Sequence, residues 1–316
     1  MRRIVFTLCF SFLLLVVSGC QILSAGKGSD KVKTAQSNKE NIKPPSVVYM
    51  VKEISPESLL KIHRALGMRY EGKTGIKIST GEPGSNYLRP ELIGLLVKSI
   101  PGASLVECNT AYGRFRQDTA SHRRVIHQHG FDAIAPVDIM DEEGQITLPA
   151  VGGLKQNYVG SHLKRYRQFL ILSHFKGHTM AGFGGAIKNV SIGMASAGGK
   201  GHIHGSNFID AMAEATKSVH DAMDGRMAYI NVMNRLSLDC DCEEDPREPE
   251  IHDKGILASV DPVALDQACV DLIFADPHGA KMKQQIERLH GLRTLERGEE
   301  IGLGHRKYTL VKLDEK

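Results

Sequence analysis

Two cysteines one residue apart, Cys240 and Cys242, sit in the run Asp239-Cys240-Asp241-Cys242-Glu243-Glu244-Asp245. On an extended segment residues i and i+2 project to one side, so this pair is placed to chelate a soft metal ion or to anchor an iron–sulfur cluster. The acidic neighbours would welcome a cation. Two thiolates supply only part of the four ligands that structural zinc and the common clusters use. His174, His178, His204 and Cys108 are the candidates for the rest. A disulfide between Cys240 and Cys242 is the rival in an oxidising compartment. An extended segment disfavours it, because its α-carbons stand near the upper limit for a bridge.

At His174-Phe175-Lys176-Gly177-His178 the alternation sets two imidazoles and an amine on one face. That grouping suits a metal or a proton relay, with the amine holding an anionic substrate. His174, Lys176, His178 and Lys188 are the candidate catalytic residues; a structural role is the competing reading for each histidine taken singly. His202 and His204 form a second alternating pair beside Lys200. The run Gly182-Phe183-Gly184-Gly185-Ala186-Ile187-Lys188-Asn189 offers backbone amides free of side-chain obstruction at a helix start, where an anion or cofactor phosphate could sit. Gly182, Gly184, Gly185, Asn189 and Lys200 are the candidate cofactor-binding residues, against the alternative of tight helix–loop packing. The patch Gly198-Gly199-Lys200-Gly201 fails the P-loop test, because Met194 and Gly201 stand where glycine and Ser/Thr are required. No GxGxxG follows the first strand. ATP hydrolysis and a Rossmann-type NAD site are therefore rejected.

The elements that must position these residues alternate from about Val47 onward. Strands are expected at Val47–Ile54, Gly75–Thr80, Ala103–Cys108, Phe169–Ser173, Met227–Met233, Gly255–Val260 and Tyr308–Leu313. Helical periodicity marks Pro56–Met68, Leu88–Ile100, Ala120–His129, Asn207–Met223 and Pro262–Phe274, the last opened by Asp261. The alternation predicts an α/β fold: one open, mostly parallel sheet with helices on both faces, a single domain with insertions over residues 47–316. In such sheets ligands collect beyond the carboxyl ends of the strands. The unusual polar residues gather there, after Ile78, Val106 and Leu172. Cys269 falls on an apolar helix face and reads as a core thiol.

Met1-Arg2-Arg3 precedes an apolar run, Ile4 to Val17, too short to span a bilayer comfortably. The following Val17-Ser18-Gly19-Cys20 resembles the lipobox of bacterial lipoproteins. That resemblance implies a signal peptide over residues 1–19, cleavage before Cys20 and lipidation of its thiol. Residues 20–46 then read as a polar, flexible tether. The expected location is the bacterial cell envelope, with the domain membrane-anchored and facing outside the cytoplasm.

The 316 residues carry 40 basic and 36 acidic side chains, a formal charge of +4, too balanced for a dedicated nucleic-acid binder. Hydrophobic residues at 41% exclude wholesale disorder, and six cysteines in so long a chain exclude a disulfide scaffold.

A family resemblance gathers on the same residues. The run from His174 to His178, then Gly182 to Asn189 and Gly199-Lys200, resembles the domain of unknown function 362 (DUF362) family. So do Thr110-Ala111-Tyr112-Gly113-Arg114 with His122 and His129-Gly130-Phe131, the Cys240-Asp241-Cys242 triplet, and Ala258-Ser259-Val260-Asp261-Pro262-Val263-Ala264-Leu265-Asp266-Gln267-Ala268. Together they span most of residues 75 to 275. Many relatives are described as iron–sulfur centre proteins with a ferredoxin-like insert after the Gly-Lys segment; here Gly199-Lys200-Gly201-His202 continues directly toward the Asn207 helix without one. Two functions are expected to compete. One is an oxidoreductase-type enzyme holding a metal ion or iron–sulfur cluster and acting on a small anionic substrate or redox partner. The other is a non-catalytic metal- or ligand-binding lipoprotein.

Overall fold

The computed structural model of the protein describes residues 45–249 and 251–314. The expected signal peptide, Cys20 and nearly all of the expected tether lie outside the described residues. Strand β1 (Ser46–Val51) leads into α1 (Pro56–Ala65), whose start is set by the Ser55 hydroxyl accepting the Ser58 N–H at 3.1 Å. β2 (Thr74–Lys77), α2 (Pro90–Lys98), β3 (Ser104–Glu107), α3 (Thr119–Gln128) and β4 (Val137–Ile139) follow. A hairpin of β5 (Gln145–Pro149) and β6 (Gln156–Gly160) precedes β7 (Gln168–His174). A second hairpin, β8 (Lys176–His178) with β9 (Gly182–Gly184), delivers the chain to α4 (Ala186–Met194), α5 (Ala197–His204) and α6 (Phe208–Ala222). The chain closes with β10 (Met227–Met233), β11 (Gly255–Ser259), α7 (Pro262–Phe274), α8 (Ala280–Arg288), α9 (Leu292–Glu300) and β12 (Tyr308–Lys312).

Eight of the described strands form one sheet in the order β12-β1-β11-β10-β7-β2-β3-β4. Every neighbouring pair is parallel except the two that involve β11. Alternate residues of β7 feed two cores. Phe169 and Ile171 pack with the α4, α6 and α7 side, while Leu170 and Leu172 pack with α1 and α2. The expected mostly parallel α/β sheet with helices on both faces is therefore present. After β2 the chain winds through α2 to β3 on one side; after β7 it winds through α4–α6 to β10 on the other. That reversal between adjacent strands opens a crevice at their carboxyl ends, the place where such sheets take ligands. No helix of the described residues is long and apolar enough to cross a membrane.

A helix start is expected in the Gly182–Asn189 run, and α4 begins there; α5 departs from the expectation of a glycine loop, because the Gly198-Gly199-Lys200-Gly201 patch has low helix propensity. Packing overrides propensity: a Cβ on Gly199 would fall 2.0 Å from the Tyr158 carbonyl oxygen, so only glycine lets α5 lie on β6. On a helix His202 and His204 no longer share a face, which corrects their reading as an alternating pair.

Candidate functional site

A cavity of about 300 Å³ opens beyond the ends of β2, β3 and β7. His174, Lys176, His178, Gly184, Gly185, Lys188, Asn189, Lys200, His204, Cys108, Cys240 and Cys242 all line it. The sequence candidates are thus brought together, with Gly182 just behind the wall, packed 2.9 Å (for an added Cβ) from the α8 backbone at Ile286.

Lys188 stands in the first turn of α4, where the helix dipole opposes a positive charge. Burial, and next the Lys176 cation, push its amine down to about 7, with Asp241 opposing. Among the described residues no hydrogen bond or ion pair engages that amine. Lys176 differs: its Nζ donates to Asp241 Oδ2 at 2.7 Å. His174 spends both ring nitrogens on acceptors, Asp241 Oδ1 at 2.9 Å and the Asn234 carbonyl at 2.6 Å, so it positions Asp241 rather than substrate. Burial alone would raise the Asp241 carboxyl; His174 and Lys176 outweigh it and hold the group well below the usual carboxylate range.

His178 and His204, the other two histidines of the cavity wall, take opposite tautomers. Nδ1 of His178 accepts the Met180 and Ala181 N–H groups at 3.2 and 3.0 Å, which puts the ring proton on Nε2. Burial first, then Lys188 and Lys176, keep this ring neutral well below its ordinary value. In His204, Nδ1 donates to the Lys200 carbonyl at 2.7 Å and leaves a lone pair on Nε2. Burial lowers its pKa as well, and the ring stacks on Phe208.

Beneath the cavity lies a charge network that sequence reasoning missed. Lys77, 1% exposed, donates to Glu107 Oε2 and Asn189 Oδ1, each at 3.0 Å, and to the Ile78 carbonyl. Arg116 bonds Glu82 Oε1 at 2.8 Å and the Tyr112 hydroxyl at 2.7 Å, with Glu107 at 3.5 Å. Burial would raise Glu107, but Lys77, His122 and Arg116 hold it at about 2. The available signal was a lysine inside the apolar strand run Ile76-Lys77-Ile78, an unpaired charge that a parallel sheet cannot bury alone. Asn189 also donates to the Leu172 carbonyl and Ser173 hydroxyl, which ties α4 to β7. It serves the frame more than a cofactor.

Cys240 and Cys242 are joined as a disulfide with their α-carbons 5.2 Å apart. The expectation of an extended pair, with α-carbons near the upper limit for a bridge and thiolates kept for a metal, is corrected, because the chain turns here instead of running as a strand. The flanking acids are also committed: Asp239 to Arg247, Asp241 to His174 and Lys176, and Glu243 to Arg114. They are not an open cation site. A ring nitrogen of His178 and the two sulfurs lie within 4.8 Å of one another. Metal ligation by His178 through Nε2 would require its proton to move and the two amide bonds at Nδ1 to break. Cys108 donates to the Met194 carbonyl, and burial pushes its thiol up to about 12, so it is a poor thiolate ligand. Cys269 is a buried free thiol, as expected. In a second donor group, Asp138, Glu142 and His162, the side chains are already engaged, Glu142 with Arg123 and Asp138 with the His162 ring.

The glycine run does not cradle an outside anion. The N–H groups of Ala186 and Ile187 donate to Asp266 of α7 at 2.8 and 3.0 Å, so this helix start already holds a carboxylate of the protein itself. The cofactor-phosphate reading of Gly185 is corrected accordingly. Gly184 does face the cavity; a Cβ there would lie 3.3 Å from Lys188 Cδ. Lys200 lines the wall but gives its Nζ to the Ala195 carbonyl at 2.6 Å.

The family described as domain of unknown function (DUF362) matches residues 74–271. No curated protein matches the chain. Among solved structures, the lactate racemase apoprotein from Thermoanaerobacterium thermosaccharolyticum is similar at 12% identity and a TM-score of 0.44, over 72% of this chain and 57% of that one. A Thermotoga maritima protein determined by a structural genomics consortium is similar at 10% identity and a TM-score of 0.40, over 78% and 58%. The chain therefore spans less than two thirds of the length of either structure.

Proposed function

We propose that this chain, which belongs to the DUF362 family, is an enzyme that holds a small carboxylate substrate in the cavity and moves a proton to or from it. The observation that carries this reading is the unengaged Lys188 amine, with a pKa of about 7 set by burial and by Lys176. An amine so placed is divided between its two protonation states at neutral pH, the condition that general acid–base catalysis favours. The Lys176 ammonium keeps donors beyond the one given to Asp241, and His178 keeps an Nε2 proton; both suit a carboxylate. His204 supplies a lone pair as a second proton acceptor.

The test is solvent-deuterium exchange at the carbon next to the carboxylate, followed by NMR across a panel of two- to four-carbon hydroxy, oxo and dicarboxylic acids. Lys188→Met should lower the rate roughly 10²–10⁴-fold. A panel in which nothing exchanges, or a rate that Lys188→Met leaves intact, defeats the proposal. Binding without exchange would favour the non-catalytic ligand-binding reading.

A second reading is an oxidoreductase keeping a metal ion or iron–sulfur cluster on Cys240 and Cys242. The convergence of His178 with the two sulfurs supports it. It needs the reduced pair, and it needs a further ligand, for which the Nε2 lone pair of His204 is the best-prepared candidate.

A further inference from the structure

We infer that the Cys240–Cys242 bridge is a thiol–disulfide exchange site whose preferred partner is a small thiol carrying an anionic group. The inference rests on the anion-binding half of the reading above and adds a chemistry to the same cavity.

A disulfide stabilises a fold chiefly by closing a long loop in the unfolded chain, and the effect shrinks with loop length. This bridge joins residues two apart, so it restrains almost nothing of the unfolded chain. The chain around it is instead held by other bonds. The Asp241 carbonyl accepts the Glu82 N–H at 2.9 Å, the Cys242 carbonyl accepts Arg114 at 2.9 Å, and the Asp241 carboxylate is fixed by His174 and Lys176. A pair of sulfurs in a rigid frame, facing a cavity, with little stabilising work to do, has the properties of a reacting group.

The two sulfurs are not equivalent. Cys240 is 4% exposed and its Sγ accepts the Cys242 N–H at 3.2 Å. Cys242 is only partly buried. An incoming thiolate therefore reaches Cys242 Sγ, and the electron pair of the breaking S–S bond goes to Cys240 Sγ. That sulfur already has one N–H donor, and the Nε2 proton of His178 and the ammonium of Lys176 stand in the same wall. A second thiolate then attacks the mixed disulfide at the sulfur of the first thiol. One small disulfide leaves, Cys240 and Cys242 end as thiols, and the two protons come from the two small thiols. Two electrons pass from the small thiols to the bridge, and the reverse direction uses a small disulfide as oxidant. The unengaged Lys188 at the cavity wall selects the charge of the partner.

The experiment uses the full chain and two thiols of similar size, 2-mercaptoethanesulfonate and the cationic 2-aminoethanethiol, at matched thiolate concentration. Opening of the bridge is read by alkylation and peptide mass spectrometry. The sulfonate should react about tenfold faster or more at low salt, with the ratio shrinking as salt rises, and Lys188→Met should remove the preference. Reduced Cys240→Ser should then form a stable mixed disulfide at Cys242 with the disulfide of the sulfonate, while Cys242→Ser should leave Cys240 unmodified. Equal rates for the two thiols in the unmutated chain overturn the inference, as does preferential modification of Cys240. The comparison of the two thiols needs no variant to fold. It also separates from the carboxylate reading, because thiol selectivity is measured without any proton exchange on a carboxylate.

Discussion

A Cβ placed on Gly185 would lie 2.4 Å from Asp266 Oδ1, the oxygen that accepts the Ala186 N–H at 2.8 Å and the Asn231 amide at 2.7 Å. Gly185 is therefore required because a helix cap from α7 approaches the backbone. Gly185→Val should lose stability and ligand binding together, and Asp266→Ala should cost about 3 kcal/mol or more by stranding buried donors. Gly184→Ala is the contrasting case: its added methyl meets the flexible stem of Lys188, so binding should weaken with little loss of stability. Denaturant melts beside carboxylate binding check this. A Gly185→Val protein that keeps its stability while losing the ligand would restore the anion-cradle reading.

Proton transfer by Lys188 fixes a pH profile. The neutral amine forms as pH rises through about 7, so a base-catalysed exchange rate should climb across that point and level above it. Lys188→Arg should abolish the limb, since a guanidinium stays charged. Stability has its own sign. The folded state binds the Lys188 proton more weakly than the unfolded chain, whose amine keeps its ordinary value of 10.5. The unfolded chain thus holds more protons between about 7 and 10.5, and this group's contribution to stability rises with pH across that window. A Lys188→Met protein with the same pH–stability slope as the parent would count against it.

The Lys77–Glu107 pair, 3.0 Å apart and nearly without solvent, supports the floor of the cavity. Removing one partner leaves a buried charge, so Lys77→Met should destabilise by roughly 3–5 kcal/mol. The double variant Lys77→Met, Glu107→Gln should recover part of that loss. Urea unfolding of the two variants measures the coupling, and strictly additive losses would mean that Arg116 alone compensates Glu107.

Much of the frame is legible in the sequence for identifiable reasons. β10 is a run from Met227 to Met233 that is apolar but for Asn231, and α7 opens on Asp261-Pro262, a side-chain cap followed by a residue that needs no N–H; both elements fall where the pattern puts them. The start of α4 is legible after Gly185, but α5 is hidden because glycine reads as loop wherever contacts such as that of Gly199 on Tyr158 cannot be foreseen. The grouping of His174, Lys176 and His178 was readable from alternation at a strand exit, and Lys188 from the glycine run that follows. The division of labour among them was not. It depends on Asp241, which comes from a segment more than sixty residues away and engages two of the four. Lys77 and Arg116 escaped for the same reason, because their partners lie on other strands and loops.

The lipobox resemblance makes a prediction independent of the cavity. Expressed in a bacterium, the parent chain should fractionate with membranes and carry a mass consistent with cleavage before Cys20 plus acyl chains. Cys20→Ala should accumulate as the longer precursor. Normal processing of that variant, together with an unchanged membrane fraction, would remove the anchor.

Whether the reduced cysteine pair also takes a metal follows from the donors on hand. Opening the bridge yields two thiols that lose their protons when a soft cation binds. His178 presents an N–H to the cavity, Cys108 is held as a thiol near 12, and the nearby carboxylates are occupied, so His204 is the donor left with a lone pair. The ring that converges with the two sulfurs is that of His178, so ligation by His204 needs its own ring to move toward them. Two thiolates, the His204 imidazole and one open position would then make a weak structural site but a usable catalytic one. Protein reduced and kept without oxygen should therefore load about one zinc or cobalt ion per chain. Oxidised protein should load none, and neither should Cys240→Ser, Cys242→Ser. His204→Ala should weaken the reduced site while leaving the disulfide form unaltered. Iron with acid-labile sulfide in the reduced parent would select the cluster reading. Reduced parent without metal, or a double variant that keeps it, would leave Cys240 and Cys242 to exchange chemistry alone.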